Sequence, residues 1–155
     1  MNYKLIETEE MVMIGKKIKT NTLDGKAVQL WSDFISGIHE IPNRKDLNTT
    51  YGISLFNENF IPGKVDIDYF AACEVLNGDD IPEGYEILKL DSTKYAVFTY
   101  RGEIEKLGEF YGKIHRNLLP ENNLIPSGKP ELELYDERYA PDSVNSEFDI
   151  YIPIN

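Results

Sequence analysis

The segment EIEKLGEFYGKIHRNLL, Glu103 to Leu119, carries Ile104, Leu107, Phe110, Tyr111, Ile114 and Leu118 at helical spacing, and Pro120 stands where the helix should stop. Before it lies YEILKLDSTKYAVFTYRG, Tyr85 to Gly102, which is strand-like. After it, a loop with Pro126, Gly128 and Pro130 leads into ELELYDE and then SEFDIYIPI, Ser146 to Ile154. The same order occurs about 80 residues earlier. There YKLIETEEMVMIGKKIK (Tyr3 to Lys19) precedes LDGKAVQLWSDFISGI (Leu23 to Ile38), where Val28, Leu30, Trp31, Phe34, Ile35 and Ile38 recur at helical spacing. Two strands follow, YGISLF (Tyr51 to Phe56) and VDIDYFAACEV (Val65 to Val75), around a turn at Pro62 and Gly63.

This repetition predicts an α+β fold of duplicated β-α-β-β units within a single domain spanning 1–155. The pseudo-repeats run over approximately 1–76 and 84–155, with NGDDIPEG, Asn77 to Gly84, as connector. The duplication is one of element order, not of residue identity. An amphipathic helix and a one-sided apolar strand must each bury their apolar side, so the units should form antiparallel sheets with the helices on one side. A junction between two related halves then offers a groove for a small molecule.

Composition narrows the function classes. A net charge of -11, from 27 acidic and 16 basic residues, works against direct nucleic-acid binding, which depends on neutralising phosphates. No apolar run approaches the roughly 20 residues that span a bilayer, and the N-terminus MNYKLIETEE lacks the apolar centre of a signal peptide. The expectation is therefore a cytoplasmic protein with no membrane association, and the single cysteine, Cys73, fits a reducing compartment. His39 and His115 are the only histidines, and neither HExxH, a Cys/His cluster, GxSxG, Walker nor GxGxxG spacing occurs. No metal, cofactor or catalytic residue is expected from these signals.

In ELELY, Glu131 to Tyr135, Leu132 and Leu134 alternate with Glu131, Glu133 and Tyr135. The period of two assigns the leucines to the helix layer and Glu133 and Tyr135 to the groove. In the last strand, Phe148, Ile150 and Ile152 alternate with Glu147, Asp149 and Tyr151, so Tyr151 should share the groove side. Gly52 and Ser54 would be the first-half counterparts of Glu133 and Tyr135, making a small neutral wall opposite the charged one. Tyr69 is a further wall candidate. Trp31 is another, although its place in the Val28, Leu30, Phe34 series suits the core as well.

The element order, together with YAVFTYRG (Tyr95 to Gly102), LELYDE (Leu132 to Glu137) and DIYIPI (Asp149 to Ile154), resembles the GyrI-like effector-binding domain over essentially the whole chain. That fold ends AraC-type and MerR-type multidrug regulators and also occurs free-standing. LWSDF (Leu30 to Phe34), IPNR (Ile41 to Arg44) and YGISLF are similar to the integron-cassette type of free-standing member. The resemblance implies a pocket for lipophilic organic cations with aromatic walls and a glutamate at the floor, and places that glutamate at Glu133. It also singles out Trp31 as a wall residue.

The expected site is thus Glu133, Tyr135, Trp31, Tyr151, Tyr69 and Ser54, binding a cationic lipophilic or aromatic small molecule without chemistry. Because the sequence begins almost at the first effector-domain strand, no DNA-reading segment is expected. A sensor or sequestering module follows, with a regulatory protein as a possible partner. Two alternatives remain open: a small hydrolase of electrophilic compounds using the groove glutamate, as the resemblance allows, or a protein-interaction module.

Overall fold

The computed structural model describes residues 2–56, 60–61 and 63–155. Among these residues eight antiparallel strands are present: β1 Lys4–Glu7, β2 Met11–Thr20, β3 Thr50–Leu55, β4 Ile67–Val75, β5 Glu86–Leu90, β6 Lys94–Arg101, β7 Glu131–Tyr135 and β8 Glu147–Pro153. Helix α1 (Lys26–Gly37) separates β2 from β3. Helix α2 (Leu107–Lys113) follows β6 and continues through a π-helical turn (Ile114–Leu118) into a final short turn, α3 (Leu119–Glu121). Among the described residues no helix is long and apolar enough to cross a membrane.

The α+β fold with its duplicated plan is as the sequence indicates, but each half holds one more strand than β-α-β-β. The long segments Tyr3 to Lys19 and Tyr85 to Gly102 each break into two strands. The breaks sit together: Thr8 N–H donates to the Thr93 carbonyl at 2.9 Å and the Ser92 hydroxyl to the Thr8 carbonyl at 2.7 Å. Short polar side chains that bond to nearby backbone favour such turns over continuous strand. Pro62, half of the turn expected between the third and fourth strands, lies outside the described residues; Gly63 there has φ 78°.

The two halves share one continuous sheet in the order β1-β6-β8-β7-β3-β4-β2-β5. The order is symmetric about the β7–β3 seam. The first strand of each half is exchanged: β1 pairs with β6 of the second half, and β5 pairs with β2 of the first. At the seam Glu133 stands directly opposite Gly52.

Both faces of the sheet are buried. On one, α1 packs Leu30 and Phe34 against Ile14, Tyr69, Ala71 and Cys73. The π-helical segment packs Ile114 and Leu118 on Phe98, Phe148 and Ile150 of the same face. Val28 and Ile35, which share the helical periodicity, point instead to solvent at 77% and 51% exposure. On the other face Met13, Ile53, Phe70, Val97 and Leu132 form a third cluster without any helix. An apolar sheet face buried without a covering layer requires the twisted sheet to curl on itself.

That third cluster corrects the assignment of sides. Leu132 packs with it, on the face away from the helices, and Glu133 and Tyr135 therefore lie on the helix side. Alternation identified the two sets correctly, yet it could not say which face the helices cover, because both faces carry apolar residues. Pro120 also differs from expectation: it lies inside the last helical turn, at the second residue of α3. The helix ends one residue later, at Glu121.

Candidate functional site

Helix α1 covers β2 and β4, and the second-half helix covers β6 and β8, so the seam strands β3 and β7 lie between the helices. Side chains that alternate onto the helix face of the seam are Gly52 and Ser54 from β3, and Glu131, Glu133 and Tyr135 from β7. Glu133 stands at the centre of this strip, opposite Gly52.

Three tyrosine hydroxyls converge on the Glu133 carboxylate. Tyr69 of β4 donates to Oε1 at 2.9 Å, Tyr135 to Oε1 at 3.1 Å, and Tyr111 of α2 to Oε2 at 2.8 Å. Trp31 of α1 completes a relay by donating Nε1–H to the Tyr69 hydroxyl at 3.0 Å. Both halves and both helices thus reach one carboxyl group. A carboxylate offers about four acceptor directions, so three donors leave roughly one free.

Hydrogen bonding is not neutralisation. Among the described residues no lysine, arginine or histidine forms an ion pair with Glu133, whereas the neighbouring Glu131 has His115 Nε2 at 3.9 Å. Burial raises the Glu133 pKa above its ordinary 4.5, opposed by the hydrogen bonds from Tyr111, Tyr69 and Tyr135 and reinforced by the Glu131 charge. The three phenols move up strongly, first through burial and then through the Glu133 charge, so they stay protonated donors. The site is an acidic group among neutral rings.

Those rings form a connected wall. Trp31 meets Tyr135 edge-on at 5.4 Å between centroids; Tyr135 lies 4.8 Å from Tyr139 and 4.7 Å from Phe148. The loop that carries Tyr139 is held by its neighbour Arg138, whose guanidinium bonds Asp136 at 2.8 Å and Asp149 at 2.9 Å. These carboxylates also hold the Arg138 pKa up and, through the same contacts, the Asp136 pKa down. Two surface clefts of about 420 and 390 Å³ lie elsewhere, beside Tyr100 and Phe110 and beside Tyr51 and Leu134. Neither includes Glu133, around which the aromatic side chains converge.

Of the six residues singled out by sequence, Glu133, Tyr135, Tyr69 and Trp31 meet in this cluster. Ser54 shares the groove face but lies opposite Glu131 and Tyr69, away from Tyr135, and makes no hydrogen bond to Glu133. Tyr151 is misassigned: it pairs with Leu132 and Val97 and packs in the helix-free cluster, on the other side of the sheet. The inversion of Leu132 explains the error, since Tyr151 and Glu133 have opposite parity across the β7–β8 pairing. Tyr111 and Tyr139 were missed. Tyr111 was legible: it sits eighty positions after Trp31, and a tyrosine on a buried helix stripe needs a partner for its hydroxyl. Tyr139 is in a loop and carried no periodic signal.

Cys73 is fully buried under α1, and burial pushes its pKa up to about 11. It is a core residue, packed with Ile14, Phe34 and Ala71.

Comparison with known proteins bears on the same region. The family model described as GyrI-like small molecule binding domain matches residues 1–155. The transcriptional regulator BrlR of Pseudomonas aeruginosa is 32% identical over 155 residues, covering 99% of this chain; the chain spans 56% of that regulator's length. The structure of SAV2435 bound to tetraphenylphosphonium superposes with a TM-score of 0.78 at 19% identity, covering 100% of this chain and 94% of the other. An integron cassette protein from the mobile metagenome of Vibrio cholerae superposes with a TM-score of 0.70 at 17% identity, covering 99% and 95%.

Proposed function

Because the chain belongs to the GyrI-like family of small-molecule-binding domains, we propose that its ligands are lipophilic or aromatic organic cations held at Glu133. The carrying observation is a carboxylate that accepts three tyrosine hydrogen bonds and has no cationic partner among the described residues. A carboxylate in this environment is costly to ionise, and a ligand cation recovers that loss through charge alone. With most acceptor directions already used, the site suits cations that carry no N–H donors, such as quaternary ammonium or phosphonium groups. Ring faces of Trp31, Tyr135 and Tyr139 would add about 0.5 to 2 kcal/mol per cation–π contact, without demanding one ligand shape. The role is that of a sensing or sequestering module. The known tetraphenylphosphonium complex of SAV2435 supports the choice of probe for this chain.

The test is calorimetric titration with tetraphenylphosphonium and with neutral triphenylphosphine oxide, using wild type and Glu133→Gln. Cation binding that is lost in Glu133→Gln supports the reading; equal cation affinity in both proteins rejects it. A second reading rests on the raised pKa of Glu133: a carboxylate of increased basicity beside three phenols can take a proton from water. Product analysis after incubation with epoxides and activated esters separates the two, because a pure binder returns each compound unchanged.

A further inference from the structure

Gly52 occupies the interior of β3, where glycine weakens a strand, and its φ lies outside the positive range that would call for glycine. Space is the remaining reason. A Cβ at this position would lie 2.3 Å from the Tyr69 hydroxyl and 2.5 Å from Glu133 Oε1, with Tyr69 Cζ next at 3.1 Å. All three nearest atoms belong to the candidate site. At Gly15, also in a strand, the obstructing atoms are instead the Ala71 carbonyl and the Ala72 backbone and Cβ. The two glycines answer different needs.

We propose that Gly52 is the positioning residue of the site: its missing side chain lets the Glu133 carboxyl group lean across the seam and be shared by both halves. Gly52 and Glu133 are directly paired at the centre of the symmetric strand order. One member of the pair carries the acid; the other supplies the room it occupies. Oε1 thereby reaches Tyr69 of the first half, and through it Trp31 of α1, while Oε2 is held by Tyr111 of the second. A methyl at position 52 cannot coexist with the carboxylate and the Tyr69 hydroxyl where they stand. The contact between Tyr69 and Glu133 is the bond that breaks, and the acid retreats to its own half. This assignment deepens the cation-binding reading and rests on it for its consequence in affinity.

The experiment compares Gly52→Ala, Tyr69→Phe and the double variant in the full chain, by tetraphenylphosphonium titration and by the ligand-free pH titration of the Glu133 side-chain carboxyl carbon in NMR. Gly52→Ala is expected to weaken cation binding at least tenfold and to move the Glu133 titration midpoint upward, because a donor is lost. Adding Tyr69→Phe to it should change the midpoint little, since both changes remove the same bond. A folded Gly52→Ala protein with wild-type affinity and an unmoved midpoint overturns the proposal. Should Gly52→Ala not fold, the variant Gly52→Ala/Tyr69→Phe/Glu133→Ala removes both polar atoms that the methyl meets. Recovery of a cooperative thermal transition in it supports the assignment, and failure to recover overturns it. The carboxyl titration needs no ligand, so a protein that binds no cation would reject the functional reading and still test Gly52.

Discussion

Trp31 and Tyr111 reach the same carboxylate from opposite helices. Tyr111 donates to Glu133 directly at 2.8 Å, and Trp31 acts through the Tyr69 hydroxyl at 3.0 Å. A ligand that engages Glu133 therefore disturbs contacts made by both helices. Trp31 is the only tryptophan in the chain, so its emission should change on cation binding, and the change should disappear in Glu133→Gln. Fluorescence titration with tetraphenylphosphonium measures both; a signal equal in the two proteins contradicts the coupling.

Glu133→Gln should weaken the binding of an organic cation by about 2 kcal/mol or more, the scale of losing one partner of a desolvated charge pair. The ligand-free protein should at the same time become more stable at neutral pH, by on the order of 1 kcal/mol, because an unpaired carboxylate is replaced by a neutral group. Chemical denaturation at pH 7 tests the second half. Opposite signs in binding and stability distinguish a binding carboxylate from a structural one.

The pH dependence follows from the direction of the Glu133 shift. A raised folded-state pKa means that its contribution to stability is fully present below the unfolded value near 4.5 and is lost as pH rises through the folded value. Asp136 acts in the opposite sense: Arg138 holds its pKa down, so its contribution is present above the ordinary value of 3.8 and lost as pH falls through the lower folded value. Cation affinity should fall as Glu133 is protonated, and binding near its raised pKa should release a proton. Calorimetry in buffers of different ionisation enthalpy counts that proton.

Tyr111→Phe and Tyr69→Phe each remove one donor to Glu133. Each should raise its pKa further and destabilise the ligand-free protein at pH 8 by about 1.5 to 3 kcal/mol, as for hydrogen bonds to charged groups. The loss should shrink at a pH where Glu133 is protonated in both proteins. Thermal unfolding across pH provides the measurement.

Tyr151→Phe is the counter-case. Its ring packs edge-on against Tyr95 at 5.5 Å on the helix-free face, so cation affinity should remain within twofold of wild type. A large loss on titration would place the ligand on the other side of the sheet.

The sequence made the repeat legible because helical spacing at Leu30, Phe34, Ile114 and Leu118 records burial directly. It also identified Glu133 and Tyr135 as sharing a face. Which face remained hidden, since Leu132 finds equally dry surroundings in a curled sheet without any helix. The exchange of β1 and β5 was hidden for a different reason: strand partners are chosen by tertiary geometry, and nothing in KLIE or EILKL names the neighbour. Tyr111 was seen as part of an apolar helix stripe, yet its hydroxyl asked for a partner that only the folded chain could identify.

That exchange makes each half depend on a strand supplied by the other. During synthesis β2, β3 and β4 emerge before β5, so the outermost strand of the first half's sheet is added only once Leu90 has left the ribosome. Severing the connector between Asn77 and Gly84 should yield two fragments that order only on mixing, each donating one strand. Glu133 lies in β7 and takes donors from both halves, so the acid at the seam is completed only when the second half joins the first.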